Sequence, residues 1–454
     1  MMRGDRSSSL EEGVAWPLLR QPRADAPVAF RRGRAITTQK FLQDVATLAA
    51  ALPRGRHVLN LCIDRYRFAA SLAAALCREQ VTLLPPDDKP ATIRAIAADF
   101  ADVYSLTDAA APADVPSFAY PSMETAPSGA APLPLFPAAQ PAIVLFTSGS
   151  TGRPKPTAKS WGVLVESALA AGERLGVDAM PGAAIVGTVP HQHSYGLEST
   201  VLLSLQHGLA FEAERPFYPA DVSAALAALP RPRLLVTTPI HLRALAGEAG
   251  PLPHADLIVS ATAPLSAALA AQAEARFAAP LIEIYGCSEA GQVATRRTVH
   301  EELWHALDGI ELRQDGSGTW ASGPPVEREI LLHDAIELGD GGRFCLLGRA
   351  ADMINIAGKR SSLAHLDHHL RAIDGVIDGA FLMPDAERGS VIRLVAFAVA
   401  PGRSADAVLA DLRQRIDAAF LPRPLLLVQS LPRNDVGKLP RETLLRLAAE
   451  RGAL

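Results

Sequence analysis

Short apolar runs recur along most of this chain, separated by longer stretches with helical spacing. HVLNLCI, VTLLP, PAIVLF, AAIVGTVP, LLVTT and LIEIYG are the runs; FLQDVATLAAAL, RFAASLAAALCREQ, VSAALAALP and LSAALAAQAEARFAA are the stretches between them. Runs of about four to eight apolar residues suit strands buried on both faces, and the longer stretches suit helices. Alternation of the two predicts a layered α/β body in which helices cover a largely parallel sheet. From residue 309 to 348 the pattern changes to short strands with Gly-Asp turns, predicting an antiparallel β subdomain. Beyond Gly348 the signals start afresh. The expected division is therefore 1–349, a large N-terminal domain of layered α/β subdomains plus a small β subdomain, and 350–454, a small mobile α+β domain. Residues 1 to about 26 read as a loose lead-in, and 107–141, rich in Ala, Pro and Ser, as a long irregular connection.

Composition narrows the classes of function. A length of 454 residues exceeds one comfortable core and suggests two or three units. No apolar run approaches the roughly 18 residues that span a bilayer, and MMRGDRSSSLEEG leads into no apolar signal core, so no membrane insertion and a cytoplasmic location are expected. Cys62, Cys77, Cys287 and Cys345 are far apart in sequence, which suggests neither a zinc knuckle nor a disulfide framework. A net charge of −4 without a long basic run argues against nucleic acid as a partner. Lysine is scarce. Of 44 basic residues only six are lysines, at positions 40, 89, 155, 159, 359 and 438, and four of these six fall within 145–162, 348–362 and 431–442. A compact ammonium charge where arginine is otherwise preferred points to particular chemistry in those segments.

Four segments carry that chemistry. Thr147, Ser148, Gly149, Ser150, Thr151 and Gly152, followed by Arg153-Pro154-Lys155, form a hydroxyl- and glycine-rich loop directly after an apolar run. Such a loop can wrap phosphates, because glycines let backbone N–H groups approach and hydroxyls add donors. It lacks the Walker A spacing, and the plainer reading is a flexible linker. Tyr285-Gly286-Cys287-Ser288-Glu289-Ala290-Gly291 follows LIEI, placing a carboxylate beside a hydroxyl at a strand end, which suits magnesium shared with nucleotide phosphates; a capped turn before a helix is the alternative. Gly348-Arg349 with Asp352 and Asn355-Ile356-Ala357-Gly358-Lys359-Arg360 is the third, and Asn434-Asp435-Val436-Gly437-Lys438 the fourth.

In this order and spacing the four segments resemble the acyl-adenylate-forming, AMP-binding superfamily: acyl- and aryl-CoA synthetases, adenylation domains of peptide synthetases, and luciferases. The resemblance runs from about Val144 to Leu444. It implies ATP-dependent activation of a small carboxylic acid as acyl-AMP, with Mg2+, and transfer to the pantetheine thiol of a holo acyl carrier protein or CoA. By that resemblance the 147–155 loop embraces the β- and γ-phosphates, Ser288 meets the α-phosphate and Glu289 holds magnesium. Tyr285 stacks on adenine with Gly286 beside it, Glu283 receives the adenine amino group, and Asp334 with Arg349 holds the ribose. Asp340 competes with Asp334 for that position.

Lys438 is implied as the main catalytic cation. His193, within VPHQHSYGLE, resembles the segment that gates the acid pocket, with Ser194, Tyr195, Ala261, Gly286 and Val293 bounding it; if the stretch is extended, His191 points away. Ser260-Ala261-Thr262-Ala263-Pro264 stands where relatives carry a diglycine before Ala-Pro, so Ala263 borders the nucleotide in a narrowed space. Ala351 occupies the usual hinge position, where many relatives carry Asp or Lys. The overall texture is similar to stand-alone ligases of bacterial aryl-polyene and xanthomonadin-type pigment pathways, which load 3- or 4-hydroxybenzoate-type acids onto a carrier protein. An aryl- or medium-chain acyl-CoA synthetase is the alternative, and a non-catalytic nucleotide- or acyl-binding protein a different class.

Overall fold

A computed structural model describes residues 13–20, 22–110, 112, 115–123, 129, 131–147, 155–349, 353–356, 359–384, 393–433 and 439–453. Two sheets and three helical layers make up the larger part. The first sheet has six strands in the order Lys155–Ser160, Pro141–Thr147, Val81–Leu84, His57–Asn60, Val103–Thr107, Ser117–Ala119. All neighbouring pairs are parallel except the first, which is antiparallel. The second sheet has eleven strands. At its centre Leu281–Cys287, Leu257–Ser260, Arg233–Thr237, Ala184–Gly187, Ala210–Glu212 and Pro27–Arg31 run parallel. Antiparallel strands flank them on both sides.

The period-2 geometry of a strand explains why the apolar runs are continuous. In Pro141–Thr147, Ile143 and Leu145 face a core shared with the helices Thr38–Ala51, Arg65–Cys77 and Trp161–Leu175, whereas Val144 and Phe146 face the helix Pro90–Asp99 on the other side. Both faces are buried, so neither needs a polar residue. The three shared helices also cover one face of the second sheet through Ile185, Val236 and Val259, while Pro219–Ala228, Pro239–Ala246 and Ala267–Phe277 cover its opposite face. The layered α/β architecture is the one the alternation predicts.

One side chain ties the layers together. Arg65, fully buried at the first turn of its helix, donates to the carbonyls of Glu212 (2.6 Å), Gly187 (2.8 Å), Glu214 (3.1 Å) and Val189 (3.3 Å). Those carbonyls end two strands of the second sheet, where the ladder no longer supplies donors.

The antiparallel subdomain is present as Glu311–Asp315, Gly318–Ser322 and Ile330–Leu332. The next hairpin, Asp334–Leu338 with Arg343–Arg349, joins the eleven-stranded sheet instead. Residues 354–448 build two apolar clusters of their own, one on each face of the sheet Asp378–Leu382, Val395–Val399, Leu425–Leu427. Two expectations need correction. The lead-in is not loose throughout, because Ala15–Pro17 pairs with Leu135–Pro137 and Leu18 and Leu19 are buried. The 107–141 connection likewise contains the strands Ser117–Ala119 and Leu135–Pro137, so apolar residues among its Ala and Pro do reach the core.

Candidate functional site

In open α/β sheets ligands meet the carboxyl ends of parallel strands. A surface cavity of about 560 Å³ lined by Arg54, Arg56, Asp102 and Tyr104 lies at the opposite, amino ends of His57–Asn60 and Val103–Thr107 and includes none of the described sequence-predicted site residues. The carboxyl ends are where those residues gather. Pro141–Thr147 leads into 148–154, so Ser148, Gly149, Ser150, Thr151 and Gly152 lie outside the described residues; Lys155, exposed, opens the antiparallel return strand. Lys438 and Ala351 also lie outside them.

Leu281–Cys287 turns through Ser288 and Glu289, both half-buried, into the antiparallel strand Gly291–Arg296. The segment is a hairpin and not the start of a helix. A side chain at Gly286 would bring its Cβ to 2.1 Å from the Gly291 carbonyl oxygen, so only glycine lets the two strands cross so closely. Tyr285 packs between Trp304 and Phe344, ring centres 5.7 and 5.8 Å away, and its hydroxyl donates to Asp334 Oδ2 at 2.7 Å. Asp334 stands opposite Arg349 in the hairpin register. Asp340 sits at the turn end of that hairpin, exposed and separated from both. The structure therefore joins Tyr285, Asp334 and Arg349 and leaves Asp340 out.

Glu283 requires a correction. It is 3% exposed, and its Oε2 accepts from Arg296 Nε (2.8 Å) and Thr298 Oγ1 (2.6 Å), so it is an internal ion-pair partner and not an open acceptor for a nucleobase. Burial pushes its carboxyl up, and Arg296 and Thr298 oppose that shift.

The HQHSYGLE stretch is not extended. His191 and Gln192 form a turn, His193 takes the N-cap position, and Ser194–Gly196 begins a helix that widens into a π-helical segment, Leu197–Leu202. A Cβ at Gly196 would lie 1.9 Å from the Pro190 carbonyl oxygen, which explains the glycine at this tight entry. His191 is 1% exposed, donates from Nε2 to the Cys62 carbonyl at 2.9 Å and lies against Phe68. Burial, reinforced by Arg65, pulls its pKa down to about 3. It is neutral in the fold but protonates near 6.5 when unfolded, so the unfolded state binds the extra proton first as pH falls. Stability present above pH 6.5 should then decline toward pH 3 by about 1.4 kcal/mol per unit for this group. Chemical denaturation at pH 7.5 and 5.5 should show that decline in the native chain and a smaller one in His191→Gln.

The largest polar feature was not anticipated. Glu198, 1% exposed within the π-helical segment, accepts from Lys159 Nζ (3.3 Å), Ser167 Oγ (3.0 Å), the Gln292 backbone N–H (3.3 Å) and the Ser194 hydroxyl. Lys159 is 2% exposed. The pair thus joins the strand that follows the 147–155 loop, the helix that follows His193 and the strand that follows Glu289. π-Helical turns are often found where function distorts a helix. The scarcity of lysine had flagged Lys159, but nothing local in the sequence pairs it with a residue 39 positions away.

Tyr195 donates its hydroxyl to the carbonyls of Thr237 and Val259, both at 3.0 Å, and burial pushes its phenol up. Ala261 is buried beside the same strand ends, and Thr262 adopts φ of 79°, the left-handed region that glycine occupies without cost and a β-branched residue does not. Ala263 is half-buried next to it. Val293 is completely buried in the core with Tyr285 and Trp304, while Gln292, one residue away, faces Glu198 and Ser199. The pocket-wall expectation for Val293 is corrected accordingly: it has no partner in the strand register, and the bulge there turns it into the core.

The sequence profile of the AMP-binding enzyme family matches residues 17–324. The chain is 31% identical to the 4-coumarate–CoA ligase of Rhodobacter capsulatus over 299 residues, 65% of this chain and 74% of the relative. Among solved structures, the o-succinylbenzoate CoA synthetase of Bacillus subtilis in complex with its acyl-adenylate intermediate superposes with a TM-score of 0.76 at 17% identity, covering 95% of this chain and 98% of the other. The same enzyme with ATP and magnesium gives 0.77, again at 17% identity, covering 95% and 100%. With more than half of its length matched by the family profile, the chain belongs to the AMP-binding enzyme family and is an acid–thiol ligase.

Proposed function

We propose that the protein uses ATP to convert an aromatic carboxylic acid, of the 3- or 4-hydroxybenzoate type, to its acyl-adenylate and then passes the acyl group to the phosphopantetheine thiol of an acyl carrier protein. The observation that carries the reading is at the end of Leu281–Cys287: Tyr285, just before the Ser288–Glu289 turn, anchors Asp334, which stands opposite Arg349 in its hairpin. In the first step a carboxylate oxygen bonds to the α-phosphorus and the bond to pyrophosphate breaks. Two anions must be aligned while negative charge builds, a task for preorganised donors. The 147–155 loop and Ser288 are assigned to the phosphates. Asp334, already anchored by Tyr285, is assigned with Arg349 to the ribose, Gly286 and Ala263 to the adenine edge, and Thr147 and Lys155 to the loop's two ends.

Magnesium fits this donor set. Among the described residues no group of three or more His, Cys, Asp or Glu could hold a metal alone. A single half-buried carboxylate, Glu289, matches an ion that takes its remaining ligands from water and nucleotide phosphates. It would supply charge neutralisation at the departing pyrophosphate. Lys438, carried by the 350–454 unit, is assigned to bridge the acid and the nucleotide. The unit would then rotate to bring the segment around Gly358 toward the adenylate, His193 guarding the acid pocket. Its own apolar clusters support treating it as a separate domain.

CoA is the second acceptor to consider, favoured by relatives named as CoA ligases. No described helix is long and apolar enough to cross a membrane. The test is acid-dependent pyrophosphate release with ATP and magnesium, using hydroxybenzoates, benzoate and octanoate, followed by acyl transfer to CoA or holo carrier protein. Hydroxybenzoate-dependent release is expected, slowed by about 10² to 10³ in Lys438→Ala. Preference for octanoate would overturn the aromatic assignment; unchanged release in Lys438→Ala would overturn the role of that lysine.

A further inference from the structure

A buried carboxylate can accept about four hydrogen bonds, two on each oxygen. Glu198 receives four: the Lys159 ammonium and the Ser194 hydroxyl on Oε1, the Ser167 hydroxyl and the Gln292 backbone N–H on Oε2. An ionised carboxylate only accepts, so every hydrogen in this network is contributed by its neighbours. The single hydrogen of the Ser194 hydroxyl is therefore committed to Glu198, and what Ser194 has left to offer is an oxygen lone pair. Ser194 is also the one of these side chains that belongs to a partly exposed residue; Lys159, Ser167, Glu198 and Gln292 are all 3% exposed or less.

A second acceptor stands on the same network. Gln292 is 3% exposed, its amide nitrogen donates to Ser199 Oγ at 3.2 Å, and its Oε1 is buried with no hydrogen-bond partner. An orphaned buried acceptor is costly unless a ligand supplies the missing hydrogen. Among the described residues Gln292 Oε1 has no donor, and Ser194, its hydrogen given to Glu198, offers an oxygen lone pair.

We propose that Ser194, held as a pure acceptor by the saturated Glu198 carboxylate, selects acids that carry a hydrogen-bond donor, a hydroxyl above all, over acids that lack one. The inference rests on the adenylation reading and adds to it the residue that selects the acid's hydroxyl. The rest of the network has a supporting part: the Lys159 ammonium shares Glu198 Oε1 with the Ser194 hydroxyl and holds that oxygen where it turns the serine hydrogen inward. A methoxy group in place of the hydroxyl would set acceptor against acceptor. Sites built around such a bond reject the analogue that lacks it more strongly than sites relying on apolar fit.

The experiment measures kcat/KM for pyrophosphate release by the full-length enzyme with 3-hydroxybenzoate, 3-methoxybenzoate and benzoate, and with 3-hydroxyoctanoate against octanoate. In the native enzyme a hydroxy acid should exceed its donor-free partner by about 10- to 100-fold, the cost of leaving one buried acceptor unsatisfied. Ser194→Ala should compress that ratio by about 10-fold, and Ser194→Thr, which keeps the hydroxyl, should restore most of it; thermal denaturation checks that each variant is folded. A native ratio near one in both series would overturn the proposal while leaving adenylation standing. So would a ratio that Ser194→Ala leaves unchanged. No pyrophosphate release by the native enzyme with any of these acids would overturn the hydroxy-acid assignment, and ATP–pyrophosphate exchange with a broader acid panel would then decide the adenylation reading separately.

Discussion

Lys159→Met should lower the unfolding free energy by about 3–5 kcal/mol, the usual cost of leaving one member of a buried ion pair without its partner. Lys159 and Glu198 are both nearly inaccessible to water, so neither solvent nor salt can replace the lost ammonium. Glu198 would then have to take up a proton, and the hydrogen it gained would compete with one of its remaining donors, Ser167, Ser194 or Gln292. The double variant Lys159→Met/Glu198→Gln removes both charges and keeps an oxygen acceptor for those groups. Its loss should fall short of the sum of the single losses by at least about 1 kcal/mol, because the residues are in direct contact. Urea denaturation of the four proteins gives the coupling directly. Additive losses would show that the pair is not an energetic unit.

Arg65→Ala is expected to have a comparable effect, about 3–5 kcal/mol, by a different route. No carboxylate bonds this guanidinium; four backbone carbonyls do, at the ends of Ala184–Gly187 and Ala210–Glu212. Deleting it strands acceptors that no nearby donor can reach and opens a cavity where helix and sheet meet. Burial already pulls the group down to about 10, yet it stays charged at neutral pH, so the effect should not vary between pH 6 and 8. Arg65→Lys should recover only part of the loss, since an ammonium has three donors on one atom and cannot span carbonyls on two strands. Recovery to the native value would overturn the bridging role.

Elements that depend on local pattern were legible in the sequence. Pro141–Thr147 and Leu281–Cys287 are short apolar runs ended by turn residues, and both are strands. The hairpin register sets Asp334, and not the turn residue Asp340, against Arg349, a pairing that follows from two strands joined by a short turn. What escaped depends on distance or direction. HQHSYGLE carries no strong helix signal, and the π-helical turn is imposed by packing against Trp161–Leu175 and by the Glu198 network. Val293 and Gln292 could not be assigned to faces without the bulge that offsets Leu281–Cys287 from its partner strand between Tyr285 and Gly286. Glu283 looked available because Arg296 and Thr298, which occupy it, approach from the facing strand and its end. Arg65 was one arginine among 38, and no rule of spacing links it to carbonyls near 187 and 212.

The strand Pro27–Arg31 pairs with Ala210–Glu212 through Ala29 and Phe211, 182 positions apart. During synthesis at about 5–20 residues per second, the early strand waits roughly 10–35 s before its partner leaves the ribosome. Over that time the first sheet can gather its own strands, which all lie between residues 57 and 160, while the second sheet cannot be completed. Vectorial synthesis thus gives the two sheets different birthdays: the first can serve as a template on which the shared helices are laid, and the second closes last around an edge supplied by the oldest part of the chain.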